Sequence, residues 1–238
     1  MSDIHRYAIL PSTMQKAAEL ARSGCPAGTV VVASEQTAGQ GRFGRTWHSE
    51  PGAGLYMSQV LRLKICPDSL PLVTLALGLA TAEAITDVAS VAPDLRWPND
   101  VLIQGKKCAG ILVQLHDGVL VSGIGINVNH AALPEELAPI ATSLRIATGR
   151  THNLEQLLQA LIRLVDEHIE NLLRNGKDAV LRAFAQASSY VRGRRVVVDQ
   201  NGVELTGVTD GLDPQGFLLL RQENGQRALI VAGGVRPV

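Results

Sequence analysis

Residues 34–47 carry glycines at 39, 41 and 44, arginines at 42 and 45, and no acid between Glu35 and Glu50. Glycines spaced this way let backbone approach a ligand closely, and free N–H groups beside two guanidinium forks suit an anion. A tight Gly-rich turn between strands has a similar composition, so on these residues alone both readings stand. Residues 39–44 match the string G-x-G-x-x-G, but they open no helical pattern and no Gly-Lys-Ser/Thr follows. Neither a dinucleotide fingerprint nor a P-loop is therefore indicated.

Four further groups could bear chemistry. Ser12-Thr13-Met14-Gln15 is a capping box before a helical pattern; read alone, Ser12 is a helix cap rather than a ligand hydroxyl. Trp97-Pro98-Asn99-Asp100 places an indole, an amide and a carboxylate on a rigid turn, either as a structural turn or near a phosphate-bound magnesium ion. Lys107 precedes the small pair Ala109-Gly110 in a strand pattern, and on that segment alone reads as an exposed turn lysine. Gly123, Gly125, Asn127 and Asn129 share one strand parity, with Ile124, Ile126 and Val128 on the other. One face is thus packed and the other bare, which suits a flat ligand lying on a sheet. The six histidines show no pair at metal-ligand spacing, so no zinc site is expected, and no nucleophile elbow supports Ser-His-Asp chemistry.

The elements that must position these groups follow from periodicity. A strand at 6–10, a helix from Ser12 to about Gly24 and a buried strand at 29–33 precede the Gly/Arg loop. A strand is expected at 54–64, a core helix at about 69–90, and an antiparallel meander through 95–97, 101–103, 107–115 and 119–128 with tight turns at Gln104-Gly105 and Asp117-Gly118. Residues 133–142 form a loop, Asn153 caps an amphipathic helix that Asn175-Gly176 stops, and a second helix spans 178–187. Short strands at 196–199, 203–208, 217–221 and 228–231, split by turns such as Asn201-Gly202, then read as a small barrel. The fold class is α+β, with domains at 1–189 and 190–238.

Composition bounds the rest. Over 238 residues, 46% hydrophobic content supports a core that 3% aromatics make aliphatic, and the 22 acids balance the 22 bases. Net charge therefore gives no argument for nucleic acid or membrane. Cys25, Cys66 and Cys108 form no framework, which suits a reducing cytoplasm, and the most apolar run, 70–82, is shorter than a membrane span.

Together the motifs are more specific than any alone. Gln36-Thr37-Ala38-Gly39-Gln40-Gly41-Arg42-Phe43-Gly44-Arg45-Thr46-Trp47 resembles the biotin-binding loop of biotin–protein ligases. Ser12-Thr13, Trp97-Pro98-Asn99-Asp100, Lys107-Cys108-Ala109-Gly110-Ile111-Leu112, Gly123-Ile124-Gly125-Ile126-Asn127, Thr142-Ser143-Leu144-Arg145 and Gly233-Gly234-Val235-Arg236 follow in that family's order. The resemblance implies a class II synthetase-like catalytic domain built on a mixed or antiparallel sheet, then an SH3-like barrel. It implies ATP and Mg2+ as cofactors, biotin as substrate, biotinyl-5′-AMP as intermediate and a lysine of a biotin carboxyl carrier protein as acceptor. Ser12, Thr13 and Gln36 would hold biotin's ureido ring, with Gly39, Gln40 and Gly41 closing over it and Gly110, Gly123 and Gly125 beneath. Arg42, Arg45 and Lys107 would join carboxylate to phosphate; Asn99, Asn127 and Arg236 would contact the nucleotide, with the metal near Asn99 and Asp100. Part of the loop, around residues 41–45, would order only over ligand.

Three departures stand out: Gln40 replaces a frequent basic residue, Met14 a frequent asparagine, and residues 130–142 offer only Leu133, Leu137 or Ile140 to cover adenine. Five residues before the first strand leave no space for the N-terminal helix-turn-helix of the family's repressors, so a monofunctional enzyme without DNA binding is expected, and a homodimer is one assembly the resemblance allows. A lipoate or octanoate ligase of related fold and a non-catalytic biotin- or nucleotide-binding module remain the alternatives.

Overall fold

The computed structural model describes residues 3–63, 69–200 and 202–238. Lys64 at the end of the expected third strand, Cys66 and Asn201 lie outside the described residues.

The first strand, β1 (Ile4–Leu10), runs parallel to β2 (Val30–Gln36), with helix α1 (Thr13–Arg22) making the crossover. β3 (Gly54–Leu61) is buried along its whole length. The meander then adds β4 (Asp94–Arg96), β5 (Asp100–Ile103), β6 (Lys106–His116) and β7 (Val119–Asn127). The seven strands order as β1-β2-β3-β7-β6-β5-β4, all neighbours but β1 and β2 antiparallel. Both expected hairpin turns form, with positive φ at Gln104, Gly105, Asp117 and Gly118, the backbone that matches the right-handed strand twist.

Strand alternation sends successive side chains to two different layers. On one face, Met14, Ala17, Ala18 and Ala21 of α1 pack on Val31, Val60 and Val121. On the other, α2 (Leu70–Ala89) and α4 (Leu154–Asn175) pack on Val30, Leu55, Ile124 and Ile126. α2 is long and apolar enough to cross a membrane by length and composition, yet 72% of its apolar window is buried in this core. Asn153 caps α4 by accepting from the backbone N–H groups of Glu155 and Gln156, and Gly176 ends it at φ 75°. Leu173, near the C-terminal end of α4, is exposed. The polar break at Gln59 is filled by Asp166 of α4, whose Oδ1 accepts from Gln59 Nε2 at 2.9 Å. A short helix absent from the periodicity, α3 (Leu144–Thr148), follows the loop; Ser143 caps it and Gly149 closes it in the left-handed region.

After α5 (Lys177–Ala187) comes a second sheet of β8 (Arg192–Gln200), β9 (Val203–Leu212), β10 (Leu218–Arg221), β11 (Arg227–Ile230) and β12 (Gly234–Pro237). Its order is β11-β10-β9-β8-β12, antiparallel throughout. The edge strands β11 and β12 share no ladder, so the sheet does not close fully, an arrangement compatible with an SH3-like barrel. β12 escapes the sequence pattern because its glycine and proline disguise a strand; its pairing with β8 supplies what propensity does not.

The two sheets share one apolar core, and Trp97 Nε1 donates to the Gly216 carbonyl across their junction at 2.9 Å. Trp97→Phe leaves that buried carbonyl unpaired, and denaturant unfolding should show a loss of about 2 kcal/mol. An unchanged midpoint would mean the bond contributes nothing to holding the sheets together.

Candidate active site

Site geometry begins where α1 starts. The parallel pairing sets Leu10 beside Gln36, bringing the Gln36 side chain under the helix N-terminus. Gln36 Oε1 accepts from Thr13 N at 2.9 Å and from Thr13 Oγ1 at 3.1 Å. Ser58 Oγ donates to Thr13 Oγ1 at 2.8 Å, and Gln36 Nε2 donates to Ser49 Oγ at 3.1 Å. Ser12 occupies the cap position but makes no capping bond. The expected capping box is thus corrected: Gln36 satisfies the helix instead, and Ser12 Oγ stands buried without a hydrogen-bond partner on the wall of a cavity. A buried polar atom left this way points to a ligand.

The floor of that cavity is the bare parity of β6 and β7. Gly110 lies directly opposite Gly125 in the ladder. A Cβ on Gly125 would come within 2.5 Å of the Trp47 indole, one on Gly110 within 2.9 Å of the same ring and 3.0 Å of Lys107 Cε, and one on Gly123 within 2.6 Å of Met14 Sδ. These glycines are needed because side chains from the loop and the helix rest on them. Trp47 Nε1 is also buried and unpartnered. The Gly39 carbonyl accepts from Trp47 N at 2.9 Å, which braces the loop stem, and Gly39 lines a cavity along the loop with Gln40, Gly41 and Arg42.

Above this floor stand the cations. Lys107 Nζ lies 2.5 Å from Asp100 Oδ1 and 5.5 Å from the Trp47 ring centre. Asp100 Oδ2 accepts from Arg96 Nη2 at 2.7 Å and from Arg96 Nε at 3.2 Å. Burial alone would raise the Asp100 carboxyl, but Lys107 and then Arg96 outweigh it and hold its pKa below the ordinary carboxylate value. Arg42 reaches across the loop to Asn99 Oδ1 at 3.2 Å and to the Gly233 carbonyl at 3.3 Å. It pairs with no carboxylate among the described residues. Burial lowers its pKa, Asp100 opposes that, and Arg45 adds a smaller push downward. A desolvated cation with neutral partners only is a seat for an anion.

This arrangement corrects the expected metal position. Both Asp100 oxygens are committed to cations, Asn99 Oδ1 accepts from Arg42, and Asn99 Nδ2 donates to the Ile111 carbonyl at 2.9 Å. Two cations and an amide so arranged do not fit a magnesium ion.

A second cavity adjoins the first. Asn127, Leu133, Leu137, Ile140, Gly233 and Gly234 line it, with Arg45 and His48 at the loop side. Gly41, Arg42, Trp47, Asn99 and Lys107 border both cavities, so the two cations stand at the seam. Ser12, Thr13, Gln36, Gln40, Gly110, Gly123 and Gly125 border the first. Asn127 Nδ2 donates to the Thr142 carbonyl at 3.0 Å. Arg236 is not brought in: it is exposed and pairs with Glu204 of β9. From this end of the second sheet, Gly233 and Gly234 line the cavity and, having no side chains, present backbone to it. Sequence reasoning misses Trp47 as a wall and Ser49 and Ser58 as supports. The paired glycines are the signal for a large side chain; nothing marks the two serines.

The profile of the biotin/lipoate A/B protein ligase family matches residues 7–130, and that of the biotin protein ligase C-terminal domain matches residues 192–235. A bifunctional ligase/repressor from Bacillus subtilis is 35% identical over 231 residues, covering 94% of this chain and 71% of its own length. A biotin–[acetyl-CoA-carboxylase] ligase from Mycobacterium tuberculosis is 34% identical over 212 residues, covering 87% and 77%. Among solved structures, the biotin protein ligase from Aquifex aeolicus in complex with biotin and ATP is similar over 100% of both chains, with a TM-score of 0.89 and 30% identity.

The two floor glycines carry different loads, which indole emission separates. Gly125→Ala should displace Trp47 and shift the tryptophan emission to the red, whereas Gly123→Ala should press on Met14 and leave the emission unchanged. Equal shifts, or none, would contradict the placement of Trp47.

Proposed function

The chain belongs to the biotin/lipoate A/B protein ligase family, and from this premise we infer that it works as a biotin–protein ligase. It activates biotin with ATP as biotinyl-5′-AMP and transfers the biotinyl group to a lysine of a biotin carboxyl carrier domain. In this reading residues 1–189 form the catalytic unit and residues 190–238 the C-terminal unit.

One observation carries the reading at the level of residues: two cavities of different character meet where Arg42 and Lys107 stand. The first offers an unpartnered Ser12 hydroxyl, the Thr13–Gln36 pair and a glycine floor, suited to a small polar ring with a saturated body. The second is walled by Leu133, Leu137 and Ile140 with Asn127 at one side, suited to a flat heterocycle. A ligand carboxylate entering the seam from the first cavity and an α-phosphate from the second repel each other. Arg42 and Lys107 offset that repulsion, and Arg45 adds a third positive charge at the phosphate side.

A carboxylate oxygen then attacks the α-phosphorus, the bond to the β-phosphate bridging oxygen breaks, and pyrophosphate departs with its electron pair. In the second step the carrier lysine, as free amine, attacks the carbonyl carbon of the anhydride and AMP leaves. The amine's proton passes to solvent. Mg2+ enters this scheme only as the counter-ion of the nucleotide, since Asn99 and Asp100 are otherwise engaged. Residues 41–45 and Trp47 close the seam from above and exclude water from the adenylate.

Intact mass of a carrier domain incubated with enzyme, ATP, magnesium and biotin should show one added biotinyl group; lipoate in place of biotin should add nothing. Lys107→Ala should fold normally yet slow adenylate formation more than about 10-fold, the scale of a lost charge contact at the reacting centre. Turnover unchanged in that variant would remove Lys107 from the chemistry, and modification by lipoate alone would overturn the substrate.

A further inference from the structure

Beneath the loop exit lies a group of side chains that the ligase reaction does not use. His48 and Glu50 follow Trp47 closely, and His130 follows the end of β7. One ligand atom from each lies within 4.8 Å of the others. His48 and Glu50 lie two residues apart, but His130 is distant in sequence, and the β3–β7 pairing brings it beside them.

His130 is fully buried and its Nδ1 has no hydrogen-bond partner. Its other nitrogen is fixed by a neighbour. The Tyr56 hydroxyl donates its single proton to the Glu50 carbonyl at 3.0 Å, so the contact between its oxygen and His130 Nε2, at 3.4 Å, takes its proton from the imidazole. That assigns the Nε2–H tautomer and leaves the Nδ1 lone pair bare, the state of a metal-ligating histidine held by an outer partner. Tyr56 keeps this position because Gly54 has no side chain: a Cβ there would overlap the hydroxyl. Ser143 Oγ, donating to the His130 carbonyl at 2.8 Å, secures the backbone.

We propose that His48, Glu50 and His130 bind one divalent transition-metal ion of the zinc class. Two imidazoles and a carboxylate make a set that favours such an ion over Mg2+, which prefers oxygen ligands in octahedral array. Glu50 is exposed and His48 half-buried, so both can close the remaining distance onto the fixed His130. None of the three borders the first cavity, while His48 borders the second. The ion therefore ties the loop stem beyond Trp47 to the end of β7 and fixes one wall of the second cavity. The binding site stands independently of the ligase reading; only its effect on a nucleotide rests on it.

Chelator-treated full-length protein titrated with Co2+, followed by visible absorption and by competition with Zn2+, tests the site directly. The expected result is one equivalent bound, displaced by Zn2+ and not by millimolar Mg2+. His48→Asn and Glu50→Gln, at sites open enough to leave folding intact, should each weaken binding at least about 10-fold, the lower end of what even outer-partner changes cost. Proteolytic cleavage within residues 41–47 should slow when Zn2+ is added to wild type and not to His48→Asn. Absence of stoichiometric binding, displacement by Mg2+, or equal affinity in wild type and both variants would overturn the proposal.

Discussion

The carboxylate of Asp100, held between Lys107 and Arg96, fixes where positive charge stands in this molecule. Taking a carboxylate and two cations out of water costs several kcal/mol per ion unless each finds a partner, and breaking such a group is strongly destabilising. Here β4, β5 and β6 are adjacent strands, so Arg96, Asp100 and Lys107 come from three consecutive strands with little freedom to separate. The result is a lysine directed by the sheet, at a seam to which Arg42 is delivered separately by the loop. One cation is set by the sheet, while the other is held by the loop against Asn99 and the Gly233 carbonyl.

Around that charge the structure keeps polar atoms unsatisfied. Ser12 Oγ and Trp47 Nε1 have no protein hydrogen-bond partner, and both residues line the first cavity. The paired glycines Gly110 and Gly125 add the entropy cost of bare residues inside strands. The aliphatic core beneath, in which α2 and α4 seal the other face of the same sheet, offsets these losses. Alternation along β7 sends Ile124 and Ile126 into the core beneath α2 and α4, while on the other face Val121 packs against α1 and Gly123 and Gly125 leave room for Met14 and Trp47.

Much of this arrangement is legible in the amino-acid sequence. The two-faced character of β7, the antiparallel meander and the helix that Asn153 caps follow from periodicity and turn chemistry, which are local. The cationic loop is legible from its glycines and arginines, though as an anion site of unspecified kind. What the sequence hides is decided by distant partners. Ser12 reads as a cap, but Gln36, on a strand paired through a parallel crossover, takes over that task. Asp100 reads as free for a metal, but Arg96 and Lys107 converge on it. Arg236 reads as directed at the nucleotide, but alternation along β12 turns it toward Glu204. Lys107, ordinary on its own segment, gains its place at the seam only through Asp100 and the glycine opposite Gly125.

The central claim is that two ligands meet at one seam of cations, carboxylate against α-phosphate, before any carrier protein is present. Exchange of labelled pyrophosphate into ATP, measured without an acceptor, tests this most directly. The wild-type chain should exchange label only when biotin is supplied. Exchange that proceeds without biotin, or none with both ligands saturating, would contradict it.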